Sequence, residues 1–146
     1  MNLQETILLE KYKYILSRKQ ALNESTFKIA AIYQALILGL AVAQYNILSE
    51  YQNKKISTEL SFFSSACLMV ILMAITFLIL CLLIGGVYAW LKYRKDESEI
   101  EFKTLGTLRA SITFKNIFAW YETYLALIVL LIGCLGLFAY KTILFP

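Results

Sequence analysis

SFFSSACLMVILMAITFLILCLLIGGVYAWL, residues 61–91, decides the class of this protein. No Asp, Glu, Lys or Arg lies between Glu59 and Lys92. A bilayer core about 30 Å thick is crossed by roughly 20 apolar residues in a helix rising about 1.5 Å per residue. The stretch is long for one crossing and too short for a hairpin of two, so it reads as one tilted span over 66–91. Working outward, residues 29–48 and 117–140 supply two more runs of the same kind. The only proline is Pro146, so none interrupts them.

Composition points the same way. Hydrophobic residues make up 60% of the 146 and charged residues 16%, against about 45–50% and about 25% in soluble domains. The mean hydropathy is +0.65. The expected fold is an all-α integral membrane protein with three transmembrane helices.

Orientation follows from where Lys and Arg fall. Residues 1–28 carry Lys11, Lys13, Arg18, Lys19 and Lys28, and residues 92–116 carry Lys92, Arg94, Lys95, Lys103, Arg109 and Lys115. The loop 49–65 holds only Lys54 and Lys55, and the tail 141–146 only Lys141. Three spans place the first two segments on one side, which therefore has eleven basic residues against three. That side is expected to be cytoplasmic, with the C-terminus outside. Aromatic residues mark the same boundaries: Tyr88, Trp90, Tyr93, Trp120, Tyr121 and Tyr124 at the inner interface, Tyr45, Tyr51, Phe62, Phe63, Phe138 and Tyr140 at the outer one.

Both cytoplasmic segments read as amphipathic helices. In residues 3–23, Leu8, Ile15 and Leu22 recur every seven residues beside Leu3, Ile7 and Tyr14. That face suits packing on the protein's own second loop, lying on the membrane surface, or self-association as a short helical bundle, and Leu8, Ile15 and Leu22 are also candidates for binding a partner. In the second segment, Ser98-Glu99-Ile100-Glu101 fits a capping box. A helix over 99–115 would then present Leu105, Leu108 and Ile112 on one side, a further candidate face for a partner. The acidic run Asp96, Glu97, Glu99 and Glu101 reads as the solvated start of that helix.

Within the spans, small residues carry the signal. Ala31, Ala35, Gly39 and Ala43 form a strip along the first span, and Cys81, Gly85 and Ala89 a shorter one on the second. Lipid gives helices little hydrophobic reason to associate, so close backbone approach at small residues marks a packing face. The two strips are expected to pair within one chain or to join subunits. Gln34 and Gln44 are costly to expose to lipid. They project about 80° apart, so they suit interhelical hydrogen bonds or the polar lining of a pore built from several copies. Glu122 is expected at the interface, paired with Lys28, in preference to an ion site, and with the two glutamines it is a candidate for the polar or pore lining.

Several functions are excluded on residue chemistry. There is no histidine, hence neither the commonest general base nor the commonest metal ligand. Cys67, Cys81 and Cys134 lie singly in apolar runs without paired spacing. No phosphate loop, nucleophile–base pair or ligand cluster is present, and no basic cluster is dense enough for nucleic acid. The expectation is a non-enzyme with no cofactor and no metal.

The order of parts resembles small helical membrane effectors of bacterial anti-phage systems, including the SLATT type. A cytoplasmic helix (3–23), a membrane hairpin (29–48 and 66–91) and a further helix (99–115) match it; the third span departs from it. The resemblance implies an oligomer in the bacterial inner membrane that permeabilises or depolarises it when a cytoplasmic protein partner signals. The alternatives are a non-conducting anchor or accessory subunit, and an immunity or regulatory protein that binds another membrane protein laterally.

Overall fold

The computed structural model describes residues 3–106 and 120–144. Every described element is an α-helix: α1 spans Leu3–Gln52, α2 Thr58–Leu105 and α3 Tyr121–Leu144. Each is long and apolar enough to cross a membrane.

Two helices are longer than the sequence reading allowed. The N-terminal amphipathic segment and the first span form one 50-residue helix. Residues 1–38 contain neither glycine nor proline, so nothing stops propagation where the polarity changes. Ser25 and Thr26, near that change, turn their hydroxyls back to the carbonyls of Ala21 and Leu22, which helices tolerate. Likewise α2 runs through Ser98 without a break. The expected capping box is therefore not a helix start: a capping motif acts only where the preceding chain has left the helix, and residues 87–105 hold no breaker. The true stop is Gly106, at φ +68°, whose amide donates to the Phe102 carbonyl at 3.0 Å. A left-handed residue closing a helix in this way is ordinarily glycine. Leu108 and Ile112 of the expected helix lie outside the described residues, as does residue 117 at the expected start of the third span.

The α1–α2 connection is correspondingly short, residues 53–57 in place of 49–65. Lys54 is left-handed at φ 56°. Its amide donates to the Tyr51 carbonyl and that of Lys55 to the Glu50 carbonyl, both at 3.0 Å, a Schellman closure built on lysine rather than glycine. Ser57 then caps α2, its hydroxyl accepting from the Leu60 amide at 3.2 Å. Beyond the third span, α3 continues through Lys141 to Leu144.

By internal contacts the chain divides into two compact units. One comprises Met1–Lys28 with Leu82–Thr123; the other comprises Ile29–Cys81 with Tyr124–Pro146. In the second unit polarity is partly inverted relative to a soluble domain. Tyr33, Ser61, Ser65 and Thr76 are buried, whereas Leu38, Phe63, Val70, Phe77 and Phe138 are exposed. Exposed apolar surface this continuous is stable only against an apolar medium. Where α2 and α3 meet, the contact is close. A Cβ built on Gly133 would lie 3.0 Å from the Thr76 methyl, and one on Gly136 2.5 Å from a Leu72 methyl.

Candidate functional site

In the first unit the polar chemistry gathers around Glu97. This carboxylate is 3% exposed, not the solvated helix start expected of the acidic run. It accepts from the Lys19 ammonium at 2.9 Å and from the Arg94 guanidinium at 3.1 Å. Lys19 comes from α1 and Arg94 lies one turn before Glu97 on α2, so the carboxylate ties the two helices together. The Lys19 ammonium also sits 4.9 Å from the Trp90 ring centroid, and Trp90 meets Trp120 edge-on at 4.1 Å. Burial pushes the Glu97 carboxyl up, but the hydrogen bonds and charges of Lys19 and then Arg94 outweigh it, leaving it below the usual 4.5.

The hydrophobic stripe of residues 3–23 is spent within the same unit. Ile15 is 2% exposed, and Leu8 and Leu22 are half-buried. The flanking Leu3, Ile7 and Tyr14 are exposed, as are Leu9 and Leu16. In the same unit Thr26 and Glu122 are buried, and the Tyr121 ring stacks on Phe27 at 5.3 Å. Glu122 makes no ion pair with Lys28 among the described residues. Lys28 is exposed.

In the second unit the helices are joined by sparse hydrogen bonds. The Tyr33 hydroxyl lies 3.4 Å from both the Thr76 hydroxyl and the Val129 carbonyl. Gln44 donates to the Ser65 hydroxyl at 3.0 Å. Gln34 is exposed, so the two glutamines serve different surroundings. Beside the Gln44–Ser65 bond lies a cavity of about 380 Å³ lined by all three helices.

The small-residue strips are open. Ala31, Ala35 and Gly39 are exposed and Ala43 half-buried, and a Cβ on Gly39, Gly85 or Gly86 would meet nothing within 4 Å. Cys81 is exposed and Ala89 half-buried. The close glycine contacts belong instead to Gly133 and Gly136, whose Gly-x-x-Gly spacing in α3 was the signal available for them. Leu105 lies in α2, but its side chain, with Leu108 and Ile112, falls outside the described residues. Among the described residues no three His, Cys, Asp or Glu side chains converge as metal ligands. Comparison with known protein families, curated protein sequences and solved structures finds no match to this chain.

Proposed function

We propose that this protein is an oligomeric membrane effector, with residues 1–28 and 92–116 cytoplasmic and the assembled spans perturbing or opening the membrane when a cytoplasmic partner acts on them. One observation carries the reading: a small-residue strip on α1 that contacts nothing around Gly39. In lipid such a strip gains by meeting another helix closely, and a second copy supplies one. The exposed Gln34 amide adds a group that lipid leaves unsatisfied and a subunit contact or aqueous lining satisfies. The eleven-to-three distribution of Lys and Arg supports the orientation. The resemblance of layout to anti-phage effectors supplies the bacterial inner membrane and the defence role.

A second reading, a non-conducting anchor for a cytoplasmic protein, is favoured by the exposed Leu3, Ile7, Leu9, Tyr14 and Leu16. Apolar side chains on a segment placed in water mark a contact surface.

Three measurements test the proposal. Mass in detergent and in lipid nanodiscs is expected to show a defined homo-oligomer, and the same preparation is expected to pass ions across liposomes. A monomer at every concentration, with no flux, sinks it. For orientation, single cysteines replacing Lys54 or Lys95 in a background with the three native cysteines changed to serine are exposed to an impermeant maleimide on intact cells. Position 54 is expected to be tagged and position 95 protected; the reverse pattern overturns the topology.

A further inference from the structure

The cavity in the second unit is built with its polarity at one end. Of its lining residues, Gln44, Ser65 and Tyr140 carry the side-chain polar groups, whereas Ile37, Leu72 and Ile132 are purely apolar. On α1 the lining runs from Ile37 to Gln44, on α2 from Ser65 to Leu72 and on α3 from Ile132 to Tyr140. Because neighbouring helices alternate in direction through the bilayer, Gln44, Ser65 and Tyr140 share one level, and Ile37, Leu72 and Ile132 the other. Seven residues of helix separate Ile37 from Gln44, a depth of about 10 Å. The polar level is that of the aromatic belt around Tyr45, Phe63 and Phe138, where bilayer hydrocarbon gives way to headgroups. Ala41, Leu135 and Ala139 line the cavity and are exposed, so it opens on the surface the helices present to lipid.

We infer that this cavity holds one acyl chain of a bilayer lipid, with the chain's ester beside Gln44 and Ser65. Size and lining fit: pockets that bury small ligands run from about 300 to 1,000 Å³, mostly apolar, with a few polar groups that fix orientation. The hydrogen-bonding chemistry fits as well. The bond between Gln44 and Ser65 occupies the serine oxygen as acceptor, leaving the serine O–H and the second N–H of the amide to donate. An ester carbonyl accepts from both. A water-soluble ligand is disfavoured, because the apolar body of the cavity opens on the surface that faces lipid. The inference requires the helices to lie in a bilayer but not that copies associate.

The test is photolabelling of the full chain in liposomes containing a phospholipid with a diazirine midway along one acyl chain. Adducts are mapped by mass spectrometry. Labelling at Leu68, Leu72 and Ile132 is expected to exceed that at the exposed Leu38, Phe77 and Leu78 by at least fivefold. Filling the cavity with Ala41→Phe is expected to abolish the excess while leaving the exposed positions unchanged. Should that variant fail to insert, Ser65→Ala and Gln44→Leu serve, with the excess expected to fall about threefold. Even labelling across cavity and exposed positions overturns the inference, as does an excess that none of the substitutions alters. Labelling that persists in a preparation shown to be monomeric sinks the oligomer and leaves the lipid site standing.

Discussion

Replacing Glu97 with methionine is expected to destabilise the first unit by about 3 kcal/mol, the lower end of the cost of breaking a buried ion pair. The substitution leaves Lys19 and Arg94 without their shared acceptor. Their side chains retain 16% and 26% exposure, so water compensates part of the loss. The triple variant with methionine at 19, 94 and 97 is expected to recover most of the stability, since the cost lies in the stranded charges and not in the absence of the pair. The chain's only tryptophans, Trp90 and Trp120, sit against each other beside Lys19, so their emission reports on this cluster. Unfolding followed by tryptophan fluorescence in detergent checks the order wild type, triple variant, single variant. A single variant as stable as wild type would show that the cluster contributes nothing.

The same cluster gives a pH dependence with a definite sign. The folded-state pKa of Glu97 lies below 4.5, so the folded state binds its proton less readily than the unfolded chain does. Its stabilisation is fully present above about pH 4.5 and is lost as the pH falls through the depressed folded value. Nothing in the neutral range is expected to loosen it. Glu97→Gln removes that acid-side slope, and comparing the two chains between neutrality and pH 3 isolates it from the other carboxylates.

What the sequence showed and what it hid divide along physical lines. Span existence depends on summed hydropathy over some 20 residues, a signal that no single contact can override; each of the three runs contributes a long apolar helix. Helix boundaries depend on local breakers. The change of polarity at residues 23–28 and the Ser98–Glu101 pattern look like boundaries, although neither contains a residue that ends a helix, whereas Gly106 does. The burial of Glu97 was illegible for another reason. Asp96, Glu97, Glu99 and Glu101 look alike along the chain, and only the arrival of Lys19, 78 positions away, distinguishes one of them. Close packing within the chain was less legible still. The regular strip through Gly39 was the more visible pattern, yet the tight contacts formed at Gly133 and Gly136, where α3 offers two glycines three residues apart.

That contrast sets up the second large effect, which separates contacts within a chain from contacts between chains. At Gly133 a leucine has no room: its Cβ alone would be 3.0 Å from the Thr76 methyl. Thr76 is β-branched and stiff at χ1, and its hydroxyl faces Tyr33 at 3.4 Å. Accommodation therefore requires α3 to move from α2 and the Tyr33 contacts to open. Gly133→Leu is expected to cost about 3 kcal/mol, the upper part of the usual range for overpacking. At Gly39 an added Cβ meets nothing within 4 Å and the position is exposed, so with leucine there the stability of the isolated chain is expected to change by less than about 1 kcal/mol, while any assembly through the strip is pushed apart. Unfolding of the detergent monomer checks the first expectation and mass in nanodiscs the second. Dissociation by Gly39→Leu with monomer stability intact means that the strip on α1 joins copies. An undisturbed assembly, or one already absent, means that the open strip faces lipid and that the oligomeric reading must rest elsewhere or fall.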